Sequence, residues 1–182
     1  AVGAHRGVAP VLVLEAGPVA GPVGGEPQGP REHQGDHQSL AGAGRAFCSG
    51  YDLAYYAQAT GGAGHSATQE MPWDPMIDYA LMKKFTEQFM SLFRSYKPVI
   101  AKVNGPAVAG GSDIALCCDL IVMAEEAVIG YPPARVWGCP TTAMWVYRLG
   151  AEHAKRMLFT GDLIDGREAA RLGLVLEAVP RV

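Results

Sequence analysis

The sequence predicts an α/β fold with mainly parallel strands, on three observations. Short runs rich in Val, Ile and Leu alternate with helical patterns from residue 76 onward. A long helical pattern over 76–96 repeats its apolar residues at spacings of three and four. Two glycine-bearing turns, one at 44–53 and one at 104–113, punctuate the strands, and the second feeds directly into a helix.

The elements follow in order. Residues 1–40 carry little regular pattern: Gly17-Pro18, Gly21-Pro22, Gly24-Gly25 and Gly29-Pro30 crowd among His and Gln, and only Val11-Leu12-Val13-Leu14 reads as a short strand. This segment is expected to be irregular or disordered, or to be a stretch read in another frame. The organised part runs over 41–182. A second irregular stretch, 54–75, contains Gly61-Gly62, Gly64, Pro72 and Pro75. The helix over 76–96 places Ile77, Leu81, Phe85, Phe89, Leu92, Phe93 and Tyr96 on one face, which is expected to be buried, and Pro98 is expected to end it. A strand over 99–103 stops at Asn104-Gly105-Pro106, and a helix over 112–118 follows Gly110-Gly111. Strands are expected over 119–123, 128–130 and 174–179, and helices over 141–147, 151–159 and 166–172.

Composition excludes several classes. The chain has 182 residues, 49% of them apolar, enough for a core and too many for a disordered chain. Its net charge is −3 and no basic stripe points to nucleic acid. No apolar run reaches membrane-spanning length, and no leader with a cleavage site is evident, so a cytoplasmic location is expected. Cys48, Cys117, Cys118 and Cys139 lack metal-ligand spacing and read as small apolar residues in a reducing compartment. No metal is expected.

The chemistry rests on the two turns, Gly44-Arg45-Ala46-Phe47-Cys48-Ser49-Gly50-Tyr51-Asp52-Leu53 and Asn104-Gly105-Pro106-Ala107-Val108-Ala109-Gly110-Gly111-Ser112-Asp113. Each can leave backbone N–H groups unpaired, and together they could form a cup of donors for an oxyanion. Gly110-Gly111 also opens a helix, whose dipole adds positive potential there. Gly110-Gly111-Ser112 lacks the Lys-Ser/Thr ending of a phosphate-binding P-loop.

In this order and spacing the pair of turns resembles the crotonase (enoyl-CoA hydratase/isomerase) superfamily. The pattern over 150–175, with Gly150-Ala151, Ala154, Leu158, Thr160-Gly161, Ile164, Ala169 and Gly173-Leu174-Val175, is similar to that family's as well. The resemblance covers about residues 40–182 and implies a ClpP/crotonase spiral of β-β-α turns with parallel sheets. It also implies an acyl-CoA-processing lyase or isomerase of fatty acid metabolism, with a coenzyme A thioester as substrate and no further cofactor. Relatives usually form homotrimers or hexamers. The resemblance places the chain's end before the C-terminal trimerisation helices and finds no family N-terminus before residue 40.

By the same resemblance, the oxyanion donors are the backbone N–H groups of Tyr51 and Gly110. The Tyr51 side chain is alternatively a core aromatic. Asp113 stands where hydratases carry their first catalytic glutamate, and reads otherwise as a first-turn helix Asp. The position of the second catalytic glutamate holds Pro133, which exchanges no proton. Ser49, Gly50, Asp52, Leu53, Gly111, Tyr131 and Trp137 are expected to line the substrate site, with Arg135 as an alternative pocket residue or a surface one. Glu125 and Glu126 read as exposed, Asp119 as a turn cap, and His65 and His153 as surface residues. An enzyme and a non-catalytic chain that only binds acyl-CoA both remain open.

Overall fold

In the computed structural model the described residues are 12–16 (backbone only), 37–51, 72–136, 138–140 and 142–181. Five strands form one sheet in the order β1-β2-β3-β5-β8: β1 (Leu12–Ala16), β2 (Gln38–Gly42), β3 (Val99–Val103), β5 (Leu120–Ala124) and β8 (Glu177–Val179). The first pair is antiparallel and the rest are parallel. A second sheet orders β4 (Ala107–Val108), β6 (Val128–Gly130) and β7 (Leu163–Asp165), with β4–β6 parallel and β6–β7 antiparallel.

Alternation decides which strand face is buried. Val99, Ala101 and Val103 are buried while Lys102 is exposed, and on β5 Ile121 and Met123 are buried while Leu120 is exposed. The parallel register sets Ala101 beside Ile121 and Val103 beside Met123, so one face of the sheet packs as a continuous apolar layer. Phe47, Leu116, Ile129, Trp145, Met157 and Leu174 complete the core.

Four helices are described. α1 spans Pro75–Phe93, α2 Gly110–Cys117, α3 Met144–Thr160 and α4 Gly166–Arg171. Asp74 caps α1 by accepting the Met76 N–H, with Pro75 in the first turn. α1 ends at Phe93, five residues before Pro98, so the proline does not terminate it. The expected pair of helices over 141–159 is α3, broken at Gly150 by a positive φ of 71°. β2, β4 and β7 were not anticipated; each is only two to five residues long and lacks a pattern of its own.

A further expectation is overturned. The apolar stripe of α1 is not a buried face: no residue of this helix is buried, and Ile77 and Phe93 are exposed. Phe89, Met90 and Leu92 only lean against the core from its edge. Most of residues 1–40 and nearly all of 54–75 lie outside the described residues, apart from β1, the start of β2 and 72–75.

Candidate active site

The first turn is held open by a pairing with the second. Asn104 donates from Nδ2 to the Gly42 and Gly44 carbonyls, at 3.1 and 2.8 Å, and accepts the Gly42 N–H at 3.2 Å. The Phe47 and Cys48 N–H groups both donate to the Pro106 carbonyl at 3.1 Å, and Val108 N–H donates to the Cys48 carbonyl at 3.0 Å. Cys48 thereby forms a parallel bridge with Ala107.

This lacing brings the glycines of the two turns face to face. A Cβ on Gly111 would lie 2.0 Å from the Cys48 carbonyl oxygen, so only glycine fits there. A Cβ on Gly50, whose φ is +97°, would lie 2.9 Å from the Ala109 Cβ and 3.3 Å from the Gly110 nitrogen. Ala109 also adopts a positive φ of 53° with ψ −127°, a conformation that costs a non-glycine residue on the order of 1–3 kcal/mol. Strain of this kind at the start of α2 is tied to the direction of the next peptide, whose N–H belongs to Gly110. The Gly110 and Gly111 N–H groups open α2 and take no backbone acceptor among the described residues, while those of Ser112 and Asp113 turn back to the Ala109 carbonyl.

Tyr51 follows Gly50. Its ring is exposed, with centroids 5.2 Å from Phe85 and 6.2 Å from Phe89, both on α1. The ring is therefore not a core aromatic, which leaves the backbone-donor reading of Tyr51 untouched, since that role does not depend on the side chain. Phe89 also approaches Gly110, to 3.6 Å from where its Cβ would stand. α1 thus roofs the junction with Tyr51, Phe85 and Phe89. Ser49 is exposed beside it. Asp52, Leu53 and Trp137 lie outside the described residues.

Asp113 sits one turn into α2 and is only 1% exposed. Thr142 Oγ1 donates to its Oδ1 at 2.9 Å. Burial pushes the carboxyl up to about 7, against the lowering effect of the Thr142 hydrogen bond. Tyr131 is buried and close enough to feel Asp113; its hydroxyl donates to the Cys139 carbonyl at 3.5 Å, at the edge of hydrogen bonding, and burial raises it to about 12. Pro133 lies in the 3-10 turn Pro132–Arg135 and places no titratable group there.

Other charged residues act elsewhere. Arg135 donates to the Thr160 carbonyl at 2.7 Å and to Asp162 at 2.9 Å, so it ties the 3-10 turn to the end of α3 rather than lining a pocket. Asp119 accepts the Val99 N–H at 2.7 Å, so it ties the start of β3 to the segment before β5 rather than capping its own turn. Glu125 pairs with Arg167, and Glu126 and His153 are exposed. Cys48, Cys117 and Cys118 are buried, whereas Cys139 is exposed. Sequence reasoning missed Thr142 and Arg148. Arg148 donates to the Leu116 carbonyl at 2.7 Å and to the Cys118 carbonyl, satisfying the C-terminal end of α2.

Comparison with known proteins agrees with this architecture. The profile of the enoyl-CoA hydratase/isomerase family matches residues 39–182, and the chain belongs to that family, with its crotonase-type fold. An enoyl-CoA hydratase from Mycobacterium smegmatis, known from its crystal structure, is 46% identical with a TM-score of 0.69, over 79% of this chain and 50% of that one. The crotonyl-CoA hydratase of Syntrophomonas wolfei is 41% identical over 86 residues, 46% of this chain and 33% of that protein. The hydroxycinnamoyl-CoA hydratase-lyase of Pseudomonas fluorescens is 32% identical over 146 residues, covering 78% and 49%. The chain spans about half the length of most of the curated relatives it matches. Among the described residues, no helix is long and apolar enough to cross a membrane.

Proposed function

We propose that the chain processes acyl-CoA thioesters as an enoyl-CoA hydratase or isomerase of the crotonase type. The observation that carries this reading is the contact between Gly50 and Gly110, which sets the start of α2 against the first turn. A thioester oxygen between the N–H groups of Tyr51 and Gly110 would gain both donors as it becomes an enolate. Asp113 supplies the acid/base group. In hydration its carboxylate takes a proton from water as the hydroxyl oxygen bonds to Cβ. The carbon–carbon π pair moves toward the thioester carbonyl, whose oxygen takes the enolate charge. Collapse of the enolate then takes a proton at Cα. With Pro133 standing where the family resemblance puts the second glutamate, Asp113 serves both transfers in this reading. A carboxyl that titrates near neutrality suits both directions of transfer.

The test is hydration of crotonyl-CoA by the wild type and by Asp113→Asn, followed by loss of the enoyl thioester absorbance. The wild-type rate should rise through pH 7 as the carboxylate forms, and the Asn protein should lose at least about 100-fold while remaining folded. Turnover unchanged in a folded Asn protein would remove Asp113 from the mechanism. The second reading, a chain that binds acyl-CoA without turning it over, is favoured by Pro133. Calorimetric binding of crotonyl-CoA with no hydration at any pH would establish it.

A further inference from the structure

We infer that Thr142 is the positioning residue of Asp113: its hydroxyl fixes one carboxyl oxygen and leaves the other to exchange the proton. The inference rests on the acid/base role proposed for Asp113.

Three observations carry it. The first is the bond itself, Thr142 Oγ1 to Asp113 Oδ1 at 2.9 Å, between two buried side chains 29 residues apart. The torsion that rotates a carboxylate has broad wells, so a carboxyl without a fixed partner is poorly aimed. The second is what remains. Asp113 Oδ2 has no hydrogen-bond partner among the described residues, yet it is not one of their sealed, unpartnered atoms, of which Trp145 Nε1 is the one example. The little surface that Asp113 keeps therefore includes Oδ2, the oxygen open to a proton. The third is the mounting. Thr142 stands two residues before α3, and Arg148 within α3 grips the Leu116 and Cys118 carbonyls at the far end of α2. α3 is thus fastened to the C-terminal end of α2 through Arg148, and the segment leading into α3 carries Thr142 against Asp113 in the first half of α2.

Among the described residues, the titratable groups that face Asp113 are Cys117 on its own helix and Tyr131 after β6. Burial raises both to about 12, so both are neutral when Asp113 titrates. Thr142 is then the polar partner that favours the charged carboxylate.

Thr142→Val and Thr142→Ala remove the hydroxyl, and Thr142→Ser keeps it. Two readouts separate positioning from simple structural support. In crotonyl-CoA hydration, the Val or Ala protein should lose about tenfold or more in kcat with KM little changed, and the rising limb of its pH profile should move to higher pH. The Ser protein should recover both. Independently of turnover, carboxyl NMR of 13C-labelled Asp should show Asp113 titrating at higher pH in whichever of the two hydroxyl-free proteins stays folded, and returning in the Ser protein. An unmoved Asp113 titration, or a Ser protein as impaired as the others, overturns the inference. Should Asp113→Asn prove fully active, the acid/base role of Asp113 falls, and the NMR titration still decides whether Thr142 governs Asp113.

Discussion

Helix α1 is 19 residues long and buries none of them, whereas α2 is eight residues long and buries seven. A reader of the sequence alone would rank them the other way. α1 has the long apolar stripe; α2 has two glycines, a serine and an aspartate in its first turn. The difference lies in what each helix is made to approach. Glycines let α2 come within backbone distance of the first turn, and that contact seals its polar first turn inside the protein. α1 keeps bulky side chains, so it can only rest against the edge of the core with Phe89, Met90 and Leu92. Periodicity therefore reports that a helix forms, while residue size at the contact reports how deeply it is buried.

The sharpest way to break this comparison is at Gly111. Its missing Cβ is what lets α2 meet the Cys48 carbonyl, and Gly111→Ala would place a carbon 2.0 Å from that oxygen. Backbone must move on both sides, so the loss should be at least about 3 kcal/mol in denaturant unfolding. Wild-type stability in this variant would mean that the two turns do not touch.

A second effect comes from the polar residue that α2 carries inside. An unfolded Asp titrates near 3.8 and the folded Asp113 near 7, so the folded protein binds this proton more tightly. Stability should then fall as pH rises from about 4 to 7 and level off above, with a total cost of about 4 kcal/mol. Asp113→Asn cannot ionise and should escape that cost. Thermal melts should show the Asn protein clearly more stable than wild type at pH 8 and nearly equal to it at pH 4. A gain that does not depend on pH would show that Asp113 is not a neutral, buried carboxyl at low pH.

The legible parts of the site were those written in local chemistry. The two glycine-bearing turns and the helix start at Gly110-Gly111 could be placed because turns and helix starts demand particular residue types at short spacing, whereas the site roles of Gly50, Gly110, Gly111 and Asp113 came with the family resemblance. Strand β3 and the helix over α1 were legible from period alone. Thr142 was read only as a residue opening a helix, since nothing local links it to a carboxyl 29 positions earlier. Arg148 was equally silent, because its carbonyl partners belong to the end of another helix. Asn104 read as a turn residue, though it also fastens the first turn through three hydrogen bonds. Arg135 was weighed as a pocket residue, and only tertiary structure could show it bound to Thr160 and Asp162. In each case the missing information is a long-range polar contact, which leaves no periodic trace.

The smallest effect should appear on the exposed side of α1. Ile77 is 58% exposed, beside Met76 at 63% and Tyr79 at 58%. Ile77→Ser removes apolar surface that is already in water, and serine and isoleucine have similar helix propensities. The expected change is within about 0.5 kcal/mol in chemical denaturation, against the several kcal/mol expected at Gly111. Crotonyl-CoA turnover should also be unchanged, because the residues of α1 that roof the site are Phe85 and Phe89, two and three helical turns further on. A loss above about 2 kcal/mol would match the cost of exposing a fully buried Ile side chain. The outer stripe of α1 would then be covered in solution, and the contrast between the two helices would be one of partner rather than of burial.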